Sequence, residues 1–461
     1  MLRHVIVLLL MACSAFAGDS SSIRAKAGGF TEGVACAKNA DQTYTLYLPA
    51  SFTRDQLAPV LLIFDPRGRS RSAAELFRSA ADAHGWILVS SDNTRSDESW
   101  RPNVEALEAL WPELDRLPVD RRRVYAAGFS GTVAVATLLA TTTGEVAGVL
   151  ACGGRYFPDK LEELETAVFA TAGTGDFNFD DTTRISETLV DAGKDARLRY
   201  FEGFHSWMPE AVASEAVGWF ELIAMRDGRR EADPAEVAAR HDGDLQVVQE
   251  LAEQDEAVAA ERQLREMVMS YSGLLDTAPL VQRAEALEAA PGFDQQRRAE
   301  RKAAKAFRRC RSSSHEELQS LRTRQRPPST EELAVELGLK RLVRQAGEGG
   351  AEGHAATQCL ASIYSSASFY LPREALAEQR YQSAATSYEL AVMIRDRNPV
   401  IWYNLACARA RLGRERSAVE ALEHALEGGF SNLDLLATDP DLDPLRARDD
   451  FKALVNSYNP G

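Results

Sequence analysis

The chain has 461 residues, a length that exceeds one ordinary domain and predicts two or three of them. Hydrophobic residues make up 45% and charged residues 26% of the sequence, which is the composition of a soluble globular protein. The net charge of −15 argues against general affinity for nucleic acid, because a phosphate backbone repels such a chain.

Residues 1–17 have the pattern of a signal peptide. Arg3 and His4 precede an apolar run at residues 5–11, which is too short to span a bilayer, and an A-x-A cleavage site follows at residues 15–17. A second interpretation stays open, because the letters LMAC at 10–13 resemble a lipobox that would leave Cys13 as a lipidated first residue. Both interpretations predict export, to the periplasm, the medium or the envelope as a lipoprotein, with membrane contact only through a lipid on Cys13.

Five further cysteines are scattered along the chain, without a C-x-x-C pair: Cys36, Cys152, Cys310, Cys359 and Cys407. Their spacing predicts neither a zinc site nor a disulfide framework. In an exported protein two of them can still pair, for which Cys36 with Cys152 is one candidate, and buried free thiols are the alternative. We expect no metal and no cofactor.

Residues 28–228 alternate short β-rich runs with helical segments, which predicts a doubly wound, mostly parallel sheet of the α/β class. Strands that are buried on both faces read as continuous Val, Ile, Leu and Ala. Seven runs fit this description: TYTLYLP (43–49), PVLLIFD (59–65), WILVSSD (86–92), RVYAAGF (123–129), VAGVLACG (146–153), AVFATAG (167–173) and ARLRYFEG (196–203).

Residues 229–345 lose the β signal and are rich in Ala, Glu, Arg and Leu after a polar linker. Two capping boxes mark expected helix starts, at Ser314 with Glu317 and at Ser329 with Glu332. This segment is either a helical spacer or a set of degenerate helical repeats.

Residues 354–461 contain an internal repeat. The stretch QRYQSAATSYELAV at 379–392 aligns with GRERSAVEALEHAL at 413–426, with equivalent positions 34 residues apart. That period, together with WYNLACARARLG at 402–413, resembles the tetratricopeptide repeat. The resemblance implies paired helices that bind a protein partner.

A serine between two glycines follows the fourth β-rich run, in GFSGT at 128–132. One interpretation is an ordinary glycine-rich turn. The other is a nucleophile elbow, in which a strained strand-to-helix turn presents the hydroxyl of Ser130. Gly128 meets the need for a small residue two positions before the serine, whereas Thr132 stands where glycine is usual. A strand before it and a run of small helix formers after it favour the elbow.

The partners of such a nucleophile are expected in the order acid, then histidine, on loops that follow later strands. His205 lies just past the last predicted strand and is the expected general base. Asp176 follows the penultimate strand and is the expected acid, ahead of Asp180 and Asp181. The oxyanion hole would use the backbone N–H groups of Gly131 and Arg67, because Pro66 has none.

Residues 41–225 resemble the α/β-hydrolase family, closest in pattern to exported esterases of the polyhydroxyalkanoate-depolymerase and feruloyl-esterase type. The motifs are VDRRRVYAAGFSG (119–131), GTGDFN (173–178) and GFHSW (203–207), and the family's H-G-x-G is replaced here by FDPRGR. The resemblance implies an exported serine esterase with a Ser130-Asp176-His205 triad. The short span at 154–166 leaves little room for a lid, which favours a small or soluble ester. The alternative is an inactive hydrolase-fold scaffold of the envelope that acts through its repeats.

Overall fold

The computed structural model describes residues 25–157, 164–324 and 326–458. The predicted signal peptide and Cys13 lie outside these residues. The chain divides into two compact units, with the boundary between Arg298 and Ala299. Within the described ranges, no helix combines the length and the apolar character needed to cross a membrane.

The first unit is built on one eight-stranded sheet. Its strands are β1 (Gly29–Ala35), β2 (Thr43–Leu48), β3 (Ala58–Phe64), β4 (Ile87–Ser91), β5 (Val119–Phe129), β6 (Val146–Cys152), β7 (Ala167–Gly173) and β8 (Ala196–Phe201). They lie in the order β1-β2-β4-β3-β5-β6-β7-β8. The pairings of β2 with β1 and with β4 are antiparallel, and all others are parallel. The predicted mostly parallel sheet is confirmed and is consistent with an α/β-hydrolase fold.

All seven predicted strands are present, and β1 is the one the sequence did not predict. Its residues, GFTEGVA, mix glycine with polar side chains and are mostly exposed or half-buried. It pairs with β2 alone, so it is an edge strand and carries no continuous apolar run.

Helices cover both faces of the sheet. In β3, Val60 and Leu62 join one buried cluster while Leu61 and Ile63 join another, because successive side chains of a strand point to opposite faces. The helices of this unit are α1 (Ser70–Glu75), α2 (Arg78–His84), α3 (Arg101–Leu110), α4 (Val133–Thr143), α5 (Phe179–Asp191), α6 (Glu210–Arg226), α7 (Pro234–Glu253), α8 (Ala257–Tyr271) and α9 (Ala278–Glu288).

The first unit extends beyond the boundary predicted at residue 228. Val237 and Val248 of α7 and Leu264 of α8 belong to the same buried cluster as Phe220 of α6. A buried ion pair adds to this contact, since Arg197 of β8 binds Asp244 of α7 through two hydrogen bonds of 3.0 and 2.7 Å. The sequence predicted helices in this segment, but it did not predict that they pack on the first unit.

The second unit is all-helical in its described residues. Its helices are α10 (Phe293–Thr323, which begins before the boundary), α11 (Thr330–Glu336), α12 (Leu339–Glu348), α13 (Gly350–Ser365), α14 (Leu371–Ala377), α15 (Tyr381–Ile394), α16 (Pro399–Arg411), α17 (Glu415–Glu427), α18 (Leu433–Thr438) and α19 (Asp449–Tyr458). The equivalent positions of the internal repeat are buried in one core: Ala384, Ala418, Tyr388, Leu422, Ala391 and Ala425.

Only one of the two predicted capping boxes is a helix start. Ser329 caps α11, with its hydroxyl accepting from the N–H of Glu332 and the Glu332 side chain accepting from the N–H of Ser329. Ser314 instead lies inside α10, where its hydroxyl donates to the carbonyl of Cys310 at 2.7 Å. A serine in mid-helix satisfies its hydroxyl in this way, so the local motif did not mark an end.

Cys310 and Cys359 form a disulfide that joins α10 to α13. Cys36, Cys152 and Cys407 are buried free thiols. The candidate pairing of Cys36 with Cys152 is wrong, because the two side chains belong to the buried clusters on opposite faces of the sheet.

Candidate active site

The turn between β5 and α4 holds Ser130 in a strained backbone conformation. Ser130 has a φ of 55°, in the left-handed region that residues with a side chain seldom occupy. The chain has no space for a side chain at Gly128, where a Cβ would lie 2.4 Å from the carbonyl oxygen of Thr132. The sharp turn therefore depends on glycine at 128 and presents the Ser130 hydroxyl at the carboxyl edge of the sheet.

Thr132 stabilises this turn through its side chain, which gives a structural reason for threonine at the position where glycine is usual. The side chain is fully buried. Its Oγ1 accepts from the N–H of Phe129 at 3.1 Å and lies 2.5 Å from the carbonyl oxygen of Phe64, to which it donates. The hydroxyl thus ties the serine turn to the end of the neighbouring strand β3.

His205 and Asp176 meet Ser130 at this edge. Asp176 follows β7 and His205 follows β8, and parallel strands end on the same side of a sheet. His205 Nε2 lies 2.9 Å from Ser130 Oγ, and His205 Nδ1 lies 3.0 and 2.9 Å from the two carboxylate oxygens of Asp176. Asp180 and Asp181, the other acids considered, lie in the first turn of α5, and Asp176 is the carboxylate that contacts the imidazole.

The histidine and the acid are held by their surroundings. The His205 ring packs between Phe129 and Phe177, with centroid distances of 4.7 and 4.3 Å. The Asp176 carboxylate is buried and accepts a further hydrogen bond from the N–H of Asn178 at 2.8 Å. With Asp176 accepting at Nδ1, the imidazole carries its proton there and leaves Nε2 to accept from Ser130.

The loop after β3 does not offer the Arg67 amide that the sequence assigned to an oxyanion hole. The N–H of Arg67 donates to Asp65 Oδ1 at 2.8 Å. The N–H of Gly68 donates to the Asp65 carbonyl at 3.1 Å, and the N–H of Arg69 to Asp65 Oδ1 at 3.2 Å. All three amides of this loop therefore donate to Asp65, two to its side chain and one to its carbonyl.

Asp65 also connects this loop to the histidine loop. Its carboxylate accepts from the indole Nε1 of Trp207 at 2.9 Å and from the guanidinium of Arg69 at 3.1 and 3.0 Å. Burial alone raises the pKa of Asp65, but the hydrogen bonds from Arg69, Trp207 and two backbone amides outweigh it and lower the pKa below its ordinary value. Asp65 lies within FDPRGR and Trp207 within GFHSW, but neither residue was predicted to have a role in the site.

Gly131, the other predicted oxyanion donor, follows Ser130 and is exposed. Ser96, on the loop after β4, lies against it: a Cβ at Gly131 would be 2.6 Å from Ser96 Cβ. The rings of Trp100 and Phe157 are 6.3 Å apart, and the N–H of Phe157 donates to the Thr137 hydroxyl of α4 at 2.8 Å.

These residues place a serine hydroxyl, an imidazole and a carboxylate in a hydrogen-bonded series at the edge of parallel strands. Such an arrangement can transfer an acyl group through a serine. In the described part of the chain, no group of three or more His, Cys, Asp or Glu side chains is placed to hold a metal ion.

Comparisons with known proteins give partial likenesses. No family model matches the chain. A stretch of 57 residues is 35% identical to a chloroplastic protein from Arabidopsis thaliana, and covers 12% of this chain and 17% of that protein. The chain thus spans less than a fifth of this curated relative.

Among solved structures, a Pyrococcus horikoshii acylaminoacyl peptidase is 12% identical over 40% of this chain and 39% of its own, with a TM-score of 0.31. A thermostable esterase is 17% identical over 41% of this chain and 60% of its own, with a TM-score of 0.33. A ferulic acid esterase is 17% identical over 39% of this chain and 91% of its own, with a TM-score of 0.32. The chain spans less than two thirds of the first two proteins, and likenesses of this size concern the fold alone.

Proposed function

We propose that the first unit is a serine hydrolase that cleaves carboxylic esters, with Ser130 as nucleophile, His205 as general base and Asp176 as the orienting acid. The observation that carries the proposal is the continuous chain of hydrogen bonds from Ser130 Oγ through the His205 imidazole to Asp176, at 2.9 Å for the serine contact. The left-handed backbone of Ser130 is a second support, because strain of this kind is concentrated at functional sites.

The mechanism follows from these contacts. His205 Nε2 takes the proton from Ser130 Oγ as the oxygen attacks the ester carbonyl, and Asp176 stabilises the imidazolium that forms. The tetrahedral intermediate collapses as His205 returns the proton to the leaving alcohol. Water, activated by the same imidazole, then attacks the acyl-enzyme and releases the acid. The N–H of Gly131 is one donor to the negatively charged oxygen.

A small or soluble ester is the proposed substrate class. The short span at 154–166 supports this choice, because it leaves little room for a lid over the site.

The second unit is proposed to bind a protein partner through repeats of the tetratricopeptide type. The 34-residue spacing of buried equivalent positions, such as Ala384 and Ala418, supports this. Export, with cleavage after residue 17 or lipidation at Cys13, is proposed from the sequence, and the disulfide between Cys310 and Cys359 is in keeping with an oxidising compartment.

Labelling with a fluorophosphonate tests the enzyme proposal directly. The wild-type protein should be labelled at Ser130 and hydrolyse short-chain aryl esters, and Ser130→Ala should do neither. A matched control is Ser99→Ala, an exposed serine on the loop after β4, which should keep both properties. A folded wild-type protein that is neither labelled nor active on a broad ester panel would support the inactive scaffold instead.

A further inference from the structure

We propose that the hydroxyl of Ser96 is the second oxyanion donor of this site, acting with the N–H of Gly131. The inference rests on the proposed function, since it assigns a further catalytic residue to the same reaction. Oxyanion holes need two donors aimed at the oxygen that becomes negative, and a serine hydroxyl can be one of them.

The position of Ser96 supports this role. A Cβ built on Gly131 would lie 2.6 Å from Ser96 Cβ and 3.6 Å from Ser96 Oγ. The serine side chain therefore lies directly against the residue whose N–H is the first donor. If one substrate oxygen is to accept from both donors, the Gly131 nitrogen and the Ser96 hydroxyl oxygen must be about 4–6 Å apart. The close contact between the two residues allows such a distance.

The usual source of the second donor is engaged elsewhere. The family takes it from the loop after β3. Here that loop has Pro66 without an N–H, and the amides of Arg67, Gly68 and Arg69 all donate to Asp65. An amide whose hydrogen points at a buried carboxylate would have to break that hydrogen bond in order to bind the substrate oxygen.

The loop that carries Ser96 is fixed at its backbone. The N–H of Ser96 donates to the Pro66 carbonyl at 2.9 Å. The neighbouring Arg95 is held on both sides by the Asn103 side chain, which accepts from its N–H at 2.9 Å and donates to its carbonyl at 2.8 Å. A donor on a rigid backbone needs little reorganisation when charge develops, which is the requirement for oxyanion stabilisation.

The Ser96 hydroxyl itself can change partner. It donates to Asp97 Oδ2 at 2.8 Å, and the Asp97 side chain is exposed to solvent. Because the Asp97 carboxylate is exposed, water can replace the Ser96 hydroxyl there when the hydroxyl rotates toward the substrate. The exchange replaces a hydrogen bond to an exposed carboxylate by one to the developing oxyanion, so the hydroxyl donates to a negatively charged oxygen in both positions.

Steady-state kinetics on an aryl ester test the role. Ser96→Ala should lower kcat by about 10²–10³-fold, the scale of losing one oxyanion donor, with little change in KM. Ser99→Ala, on the same loop and exposed, is the matched control and should match wild type.

A second measurement separates catalysis from structure. A trifluoromethyl ketone forms a tetrahedral adduct with the serine, so its inhibition constant should rise in Ser96→Ala in parallel with the fall in kcat/KM. A kcat within about threefold of wild type, or a fall in kcat with unchanged affinity for the ketone, overturns the role of Ser96. Labelling of Ser130 in the wild type keeps that outcome distinct from failure of the proposed function, in which the wild type itself is neither labelled nor active.

Discussion

The two units of the chain differ in whether they bury charged side chains. Within the described ranges, every buried charged residue lies in the first unit: Asp65, Glu113, Asp176, Asp180, Arg197, Glu221, Glu261 and Glu266. The buried polar groups of the second unit are hydroxyls and one amide, around a core of Ala and Leu. Buried charge is tolerated only with close partners, so the first unit depends on directed hydrogen bonds where the second depends on packing.

This difference separates the roles that the units can have. A hydrogen-bonded charge fixes a side chain in one orientation, as the site around Ser130 requires. Close-packed alanines let helices approach each other and leave their outer surfaces free to contact a partner. Changes at the buried charges of the first unit should therefore affect chemistry and electrostatics, and changes in the core of the second unit should affect packing.

The largest effect is expected from the three groups proposed to carry the reaction. Ser130→Ala or His205→Ala should lower kcat by about 10⁶-fold, whereas Asp176→Asn should cost about 10⁴-fold, because the acid acts through the imidazole. Circular dichroism should show each variant folded, and initial rates on an aryl ester give the order. An Asp176→Asn variant as impaired as Ser130→Ala would contradict the indirect role of the acid.

The next effect concerns the buried ion pair between β8 and α7. Asp244→Ala leaves the guanidinium of Arg197, 3% exposed, without its main partner, and should lower the free energy of unfolding by about 3–5 kcal/mol. Urea unfolding followed by tryptophan fluorescence reports on the first unit, which holds five of the six tryptophans. Asp242→Ala, on the same helix but exposed, is the control, and equal midpoints for the two variants would show that the pair contributes little.

The second unit should respond to its disulfide instead. Replacing Cys310 and Cys359 by serine removes a cross-link between residues 49 apart, and should destabilise this unit by about 2–4 kcal/mol. Thermal unfolding followed by circular dichroism measures the loss. Reductant should lower the melting temperature of the wild type and leave that of the double variant unchanged, and a reductant-sensitive double variant would point to another cause.

A smaller effect is expected from pH at Asp65. Its folded pKa lies below the ordinary value of 3.8, so the carboxylate adds stability that is fully present above that value and is lost as the pH falls through the folded pKa. The unfolding free energies of wild type and Asp65→Asn should therefore differ most near neutral pH and converge in acid. Urea midpoints across this range test the sign, and a gap that widens in acid would refute it.

The sequence predicted those features that depend on local patterns. Seven strands were predicted because strands buried on both faces are continuous in apolar residues. Ser130, Asp176 and His205 could be predicted to lie together because each follows such a strand. The edge strand β1 has no such run. The packing of α7 and α8 on the sheet, and the pairing of Cys310 with Cys359, are contacts between distant segments that no local pattern encodes.

Within the site, the prediction from sequence was wrong where a side chain accepts a hydrogen bond from a backbone N–H that was expected to bind the substrate. The Asp65 carboxylate accepts a hydrogen bond from the N–H of Arg67. The letters FDPRGR do not predict this bond, because it depends on how the loop folds back on itself. The sequence shows threonine at position 132, where glycine is usual. The hydrogen bond from its hydroxyl to the end of β3 could not be predicted, because it depends on which strand lies beside the turn. Ser96 has no motif at all, since its place is set by the sheet order.

The left-handed backbone of Ser130 implies a trade-off between stability and activity. A residue with a side chain held at positive φ costs about 1–2 kcal/mol relative to glycine, which adopts that conformation freely. Ser130→Gly should therefore be more stable than Ser130→Ala while both are inactive. Glycine at position 130 would relieve this strain but would remove the hydroxyl, so the presence of the hydroxyl lowers the stability of the fold that holds it.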